Sequence, residues 1–473
     1  MSRDSNQSER ILARAQVHNG DYKDERDIVI GFDFGTSSSK IIIRDSVLQN
    51  AYAIPFNSLA CPFNQYLIPT SIYINKHGQY SITPGGYSSR DLKINLMEAP
   101  TKKIVSTKNN KITITAAEFG AAYIALVIQY ARDWFLQQTE SIYKNTNIHW
   151  HVNIGIPSKD YSDQKLKQIF RVIVMAAWKV SRNSSPITIR IVKECLKHAN
   201  KHLKTKGKSI NDSDLEDSLW LHPDYVNTHP EVIMEVVGYT RSPSRANGLH
   251  LLVDIGATTF DTATFIIHND EQGDLYTLQE TSVEKFGTMI LHQHRIKALQ
   301  DSLQARFLKI KKTDPTLPLP KTEDYAINTD KLDIAQNDEL FLKNCYACIG
   351  EVIRNTQTNR DPHSRAWDEG LPVFICGGGG RSPEYRDMVI LLGENLTSRT
   401  SINGFNIQSI PMPEQLDAPD LSPQDYDRLA VAYGLSFTAD EIGSVVPPSD
   451  DPDVQKRDNS VDIEDKFIDK DMC

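Results

Sequence analysis

Apolar positions along the chain come in short bursts, and the spacing within each burst predicts its conformation. Residues 1–27 carry few apolar side chains and many Ser, Asn, Gln and charged ones, the pattern of a disordered leader. At Asp27 the character changes. Ile28-Val29-Ile30-Gly31-Phe32 is a β-rich run, and beyond a Gly-Thr-Ser turn Ile41-Ile42-Ile43 supplies a second strand. Residues 67–74 alternate around Pro69, as an edge strand can. Thr115-Ala-Ala-Glu118 has the spacing of a capping box, in which each side chain satisfies a free amide of the first helical turn. Behind it Phe119, Tyr123, Leu126, Val127, Tyr130 and Trp134 recur at helical spacing and predict a core-facing helix. Residues 149–156 return to strand character, and 161–180 to an amphipathic helix.

Polar stretches divide these elements. Residues 197–229 and 311–340 are rich in charge, Asn or Pro and read as two surface insertions; the basic run at 201–208 reads as a solvated face. Ser422-Pro423-Gln424-Asp425 combines an N-cap, a first-turn proline and an acidic residue, opening a helix through Leu429, Ala430, Tyr433 and Gly434. From Asp450 to Cys473 there are nine Asp/Glu against four Lys/Arg, so residues 444–473 read as an acidic, disordered tail.

Composition narrows the picture. A net charge of −9 argues against bulk nucleic-acid or anionic-membrane binding. The richest apolar stretch, at 119–128, is about half the ~20 residues a membrane span needs, and the first 27 residues lack a secretory apolar core. A soluble, cytoplasmic protein is expected. Six scattered cysteines do not form a secreted disulfide framework, and the one Cys-x-x-Cys, Cys345 and Cys348, reads as core packing.

The central clue is an internal repeat. Residues 28–45 (IVIGFDFGTSSSKIIIRD) and 250–267 (HLLVDIGATTFDTATFII) each hold a β-run, an Asp, an apolar residue, a Gly, a hydroxyl-rich turn and a second β-run. That recurrence suggests duplication of a whole domain. Such a hairpin presents backbone N–H groups and hydroxyls together, as a phosphate chain requires, and small residues admit close approach. Asp33 and Asp254 stand where a carboxylate can hold Mg²⁺ or its waters. A third element, Pro372-Val-Phe-Ile-Cys376 followed by Gly377-Gly378-Gly379-Gly380-Arg381-Ser-Pro, runs a strand into four glycines; it is the expected platform for base and ribose.

In this order the motifs resemble those of the actin, heat-shock-chaperone and sugar-kinase superfamily. Leu67-Ile-Pro-Thr-Ser-Ile-Tyr-Ile74, Val152-Asn-Ile-Gly-Ile-Pro157 and Arg428-Leu-Ala-Val-Ala-Tyr-Gly434 are similar to strands and a helix of the DnaK-type branch. The likeness covers about residues 27–443 and leaves out that family's peptide-binding β-sandwich, lid and linker. It implies an α/β actin-like ATPase fold: two duplicated RNase H-like lobes, mixed sheets flanked by helices, and nucleotide in the cleft between them. The lobes are expected at 28–240 and 241–443.

The resemblance also implies roles. Asp33 and Asp254 would hold hydrated Mg²⁺. Gly35, Thr36, Ser37, Ser38, Gly256, Ala257, Thr258 and Thr259 would contact phosphates, and Asp261 would orient the attacking water. Glu231, over Glu235, would help position metal and water. Lys93, with Lys102 and Lys103 as alternatives, would reach the γ-phosphate, and Gly377–Arg381 would carry the nucleoside. Ala257 stands where the family has glycine, and Arg428 where it has Asp. The implied activity is slow, Mg²⁺-dependent ATP hydrolysis to ADP and phosphate, driving a chaperone-like switch on a protein client or cofactor protein. An actin-class filament ATPase and a sugar-type kinase are the alternative readings, the second because Gly-Thr-Ser-Ser-Ser-Lys40 also resembles sugar-kinase loops.

Overall fold

The computed structural model describes residues 24–106, 113–183, 186–204, 219–270, 273–300, 315–325 and 331–448. The strands used below are β1 (Asp24–Phe34), β2 (Ser38–Asp45), β3 (Ala51–Ala53), β4 (Ile68–Pro69), β5 (Thr146–Ile156), β6 (Val226–Pro230), β7 (Gly248–Ile255), β8 (Phe260–Asp270), β9 (Gly273–Glu284), β10 (Leu371–Cys376), β11 (Phe405–Gln408), β12 (Leu416–Asp417) and β13 (Ser444–Val446). The helices are α1 (Leu92–Glu98), α2 (Ala116–Gln138), α3 (Gln164–Ser181), α4 (Ile189–Lys204), α5 (Glu231–Thr240), α6 (Thr288–Gln300), α7 (Lys331–Asn355), α8 (Pro383–Arg399) and α9 (Ala430–Leu435). The architecture is mixed α/β, with mixed sheets flanked by helices. Among the described residues no helix is long and apolar enough to cross a membrane.

The chain separates into two units. The first comprises residues 1–156, 163–238 and 412–439, and the second 157–162, 239–411 and 440–473. The main division falls between Gly238 and Tyr239, and residues 412–439 belong with the first unit. The cause is close packing. Gly31 on β1 lies so tightly under α9 that an added Cβ would strike the Ala432 carbonyl, and Gly434 stands equally tight against Met234.

Unit 1 is built on a seven-stranded sheet in the order β6-β5-β1-β2-β3-β12, with β4 beside β2. The strand β1 is buried on both faces, which is why its apolar run is continuous rather than alternating. Phe34 meets Tyr123 of α2 on one face, while Gly31 meets α9 on the other. The predicted capping box closes α2: Glu118 N donates to Thr115 Oγ1 at 3.3 Å, and Thr115 N to Glu118 Oε2 at 3.0 Å. The amphipathic helix at 161–180 begins later, at Gln164, because Asp163 caps it by accepting from the Lys165 and Leu166 amides.

Unit 2 holds a six-stranded sheet in the order β11-β10-β7-β8-β9-β13. Leu249, Leu251, Val253 and Ile255 point to one face and join Cys345 and Ile349 of α7 and Tyr385 and Leu392 of α8 in one core. Cys345 and Cys348 are therefore packing residues, and burial pushes the Cys345 thiol up to about 12.

The two sheets share one topology. In each, three consecutive antiparallel strands are followed by two parallel strands beside the first, and a late strand joins the third in parallel. The likeness read from two hairpins thus extends to the strand order of both sheets.

Several expectations are corrected. The edge strand at 67–74 breaks after Pro69 into β4 and a separate strand, Ile72–Ile74, in a small sheet. Residues 197–229 are not one surface excursion: α4 runs to Lys204, and β6 is a strand of the main sheet. Nor are 311–340: α7 starts at Lys331, and Asp338 is buried. Ser422 makes no side-chain cap; 423–428 form a 3-10 turn before α9. Residues 24–27 and 444–446 are strands, not leader or tail. The rest of that leader, residues 449–473 and the basic positions 205–208 lie outside the described residues.

Two histidines make acid the weak side of the fold. Burial lowers His229 and His250 to about 4. Unfolded histidines take up protons as pH falls below about 6.5, whereas these stay neutral until about 4. Stability is therefore present above the unfolded value and is lost as pH falls from it toward 4, by up to about 3 kcal/mol for each group. In His250→Phe, the new ring would stack on Phe265 and Phe374 as the imidazole does. Urea titrations at pH 7.5 and pH 4.5 should show the acid loss shrinking in that variant; an undiminished loss would place the sensitivity elsewhere.

Candidate functional site

The candidate residues gather into one cluster in each unit. In unit 1, β1 and β2 pair antiparallel with Asp33 opposite Lys40. The turn between them is clamped by Thr70, the residue at which the expected edge strand breaks. Thr70 Oγ1 donates to the Gly35 carbonyl at 2.7 Å, its N–H donates to the Ser37 carbonyl at 2.9 Å, and its hydroxyl lies 3.0 Å from Ser39 Oγ. Gly35 is tight against the backbone of Ser38, so no side chain fits there. Thr36 and Ser37 are half-buried on the turn. Ser38 Oγ is buried and has no hydrogen-bond partner among the described residues.

Asp33 is buried and receives a 2.8 Å contact from Lys40 Nζ. Sequence reading left Lys40 without a role in the ATPase site. The signal was available in the hairpin, since the register that closes a tight turn after Asp33 sets Lys40 directly opposite.

A second ion pair forms beside the hairpin. Lys93 on α1 places Nζ 2.5 Å from Glu231 Oε1, although 138 residues separate them. The pair is largely buried. Gly155 near the end of β5 makes it possible, because a Cβ there would stand 2.7 Å from Glu231 Cγ. Of the alternatives, Lys102 instead forms an exposed i,i+4 pair with Glu98 at 3.5 Å, and Lys103 lies on a short strand. Glu235, one turn along α5, is buried within unit 1.

Unit 2 repeats the arrangement with different support. Asp254 on β7 pairs across the ladder with Asp261 on β8, setting two carboxylates at the mouth of the second hairpin. The Gly256–Thr259 turn closes through Gly256 N to Thr259 O at 2.9 Å. The start of α6 holds it: Gly287 N donates to Thr258 O at 3.1 Å, Thr288 N to Gly256 O at 3.1 Å, and Met289 N to Ala257 O at 2.7 Å. The amides at this helix N-terminus are thus engaged by the turn itself. Gly287 lies so close to Ala257 that a Cβ would stand 2.5 Å from the Ala257 carbonyl carbon. Thr258 Oγ1, like Ser38 Oγ, is buried without a partner among the described residues.

The four glycines follow β10, whose Cys376 is opposite Asp254. Most of the exclusion read from them comes from the protein itself. Gly377, at φ +74°, abuts Asp254 Oδ1 and the Ile255 carbonyl. Gly379 presses on Ile255 and Thr288, and Gly380 on Ile375. Gly378 and Arg381 are exposed, so they are the surface such a platform offers.

These groups fit a polyphosphate in each unit: orphaned buried hydroxyls, small residues in the turn, and a carboxylate at the strand end. No group of three or more His, Cys, Asp or Glu among the described residues is placed to hold a metal alone. Magnesium bound to phosphates and water needs only one or two protein carboxylates, and Asp33 and Asp254, each near the end of its strand, are the residues that would offer them. No protein-family model matches the chain, and no curated protein matches it.

Proposed function

We propose that the chain is an ATP-binding, Mg²⁺-dependent ATPase of the actin-like superfold, built from two duplicated RNase H-like units that carry one phosphate-gripping hairpin each. The observation that carries this reading is the recurrence itself: two sheets of one topology each have an Asp near the end of the first strand and a buried, unpartnered hydroxyl in the following turn or at its edge. An orphaned hydroxyl costs about 1–3 kcal/mol; Thr262, Tyr80 and Tyr426 carry such hydroxyls too, so it is their recurrence beside the same aspartate in both hairpins that supports the reading.

In this reading Ser38 and Thr258 donate to phosphate oxygens, and the Lys93 ammonium stabilises the terminal phosphate. Glu231 holds that ammonium in place and orients the attacking water, with Asp261 as a second acceptor. Asp33 and Asp254 would hold the metal through its waters; Lys40 neutralises Asp33 beforehand. Magnesium supplies neutralisation of phosphate charge. Hydrolysis then acts as a DnaK-type conformational switch on a protein partner, in the manner the motif resemblance implies.

Thermal unfolding tests the site. At a hundredfold excess over Kd, Mg·ATP should stabilise the protein by about 2.7 kcal/mol. At roughly 2–4 °C per kcal/mol for units of this size, the transition rises by roughly 5–10 °C. Asp254→Asn should lose most of that rise. An equal rise in the variant would remove Asp254 from the site.

A further inference from the structure

The loop between α5 and β7, in unit 2, holds a cluster that the proposed ATPase does not use. It reads Arg241-Ser242-Pro243-Ser244-Arg245-Ala246-Asn247. Arg241, Pro243, Ser244, Ala246 and Asn247 are exposed. The two arginines converge on one largely buried carboxylate: Arg245 Nη1 stands 2.5 Å from Asp274 Oδ1, and Arg241 Nη1 3.6 Å from Asp274 Oδ2.

Ser242 lies beside them. Its Oγ donates to the Tyr239 carbonyl at 2.8 Å and accepts from the Ser244 amide at 3.2 Å. The next carbonyl, of Thr240, accepts from Arg245 Nη1 at 3.4 Å. Hydroxyl and guanidinium thus meet consecutive carbonyls at the end of α5. A phosphoryl group on Ser242 Oγ would carry three acceptor oxygens into the neighbourhood of that fork.

Pro243 makes the serine a recognisable acceptor. Proline-directed protein kinases accept a residue with fixed φ and no N–H directly after the serine. Two other Ser-Pro steps stand among the described residues, and each opens a helical turn. Ser382 Oγ contacts the Glu384 carboxylate, and Ser422 is followed by Asp425 and Asp427, so a phosphate at either would meet an acid. At Ser242 it would meet two arginines.

We propose that Ser242 is a phosphorylation site for a proline-directed protein kinase, and that its phosphate draws Arg245 and Arg241 away from Asp274. In the transfer, Ser242 Oγ attacks the γ-phosphorus of the kinase's ATP and the new O–P bond replaces the one to the β-phosphate oxygen. ADP leaves, and the hydroxyl proton passes to the kinase's base. The phosphoserine brings close to two negative charges against the one on Asp274 and suits a bidentate guanidinium. Asp274 keeps the Tyr276 hydroxyl at 3.4 Å. The cost falls on what the arginines join: Arg241 donates to the Glu441 carbonyl, Arg245 Nη2 donates to the His268 carbonyl at 3.1 Å, and β13 follows on β9 with Ser444 opposite Leu275. Phosphorylation should therefore loosen residues 441–446. None of this depends on nucleotide bound at the hairpins.

The full chain should be incubated with ATP and a panel of proline-directed kinases, with a kinase-free sample as control, and mapped by mass spectrometry. Labelling at Ser242 should run at least tenfold faster than at Ser382 or Ser422, and vanish in Ser242→Ala. Phosphoserine installed at position 242 during translation tests the receiving arginines without a kinase. Its second pKa, read by phosphorus NMR, should lie about 0.5 or more below the usual value near 6. Arg245→Gln should restore it, and amides 441–446 should exchange at least threefold faster than in the unmodified chain. A folded chain left unlabelled at Ser242 while the peptide 238–248 is labelled overturns the proposal. So does a phosphoserine that titrates as it does in urea and is unchanged by Arg245→Gln.

Discussion

Lys93→Met is expected to lower ATP turnover by at least about 10²-fold, the usual loss when one charge-stabilising donor is removed from a reacting phosphate or oxyanion. The expectation rests on the Lys93–Glu231 pair, held at 2.5 Å in a largely buried setting. Glu231→Gln should cost a comparable factor, because the glutamate both positions the ammonium and orients water. If the two act as a unit, the double variant falls little below either single one. Phosphate release under saturating Mg·ATP is the measurement, with circular dichroism confirming that each variant is folded. Turnover within twofold of the parent in Lys93→Met would assign the pair a structural role. Stability does not separate the two cases, since breaking a buried ion pair typically costs about 3–5 kcal/mol whether or not it serves catalysis, so turnover alone decides.

Arg295→Met should be the most destabilising single change in unit 2, by about 3–5 kcal/mol. The side chain is fully buried and gathers four segments. It reaches both oxygens of Asp338, with Nη2 to Oδ2 at 2.7 Å, and Glu384 Oε1 at 2.8 Å. It also donates to the Pro320 carbonyl at 3.0 Å and contacts Thr322 Oγ1 at 3.5 Å. Removing the guanidinium strands two carboxylates in a dry site, and lysine cannot replace a fork that serves both.

The loss should depend on pH. Burial alone would raise Glu384, but Ser382 and Arg295 hold it below the ordinary carboxylate range. The stability this provides is present above the unfolded value and is lost as pH falls through the folded one. In Arg295→Met the stranded acids gain by protonation, so the gap to the parent should narrow toward pH 4. Denaturant titrations at pH 7 and pH 4.5 test this; a gap that widens in acid would contradict it. Glu384 opens α8 directly after the glycine turn, so the same variant should also weaken Mg·ATP stabilisation.

Much of the local structure was legible because its causes are local. The β1 and β2 runs, the capping box at Thr115 and the repeat around Asp33 and Asp254 depend on periodicity, turn chemistry and hydrogen bonds within a few residues. Lys93 and Glu231 were singled out separately by motif resemblance, and their approach to 2.5 Å brings the two together. Other readings failed where distant packing decides. The apolar alternation at 67–74 looks like one strand, but Thr70 is drawn away to clamp the Gly35 turn. The polar composition at 311–340 suggests a solvated excursion, yet Asp338 is buried because Arg295, 43 residues earlier, pairs with it.

By itself the sequence determined that the chain is an α/β protein with two similar hydroxyl-rich hairpins, each following a strand with an aspartate near its end. Those properties follow from strand periodicity and from residue types that permit a tight turn, and neither needs a distant partner. Only the tertiary structure decided that residues 412–439 return to unit 1, that Lys93 meets Glu231, that Gly377 and Gly379 are pressed by β7, and that Arg295 buries Asp338. Each of those outcomes is a contact between segments far apart in the chain, set by which buried surfaces and charges must be matched once the sheets have formed.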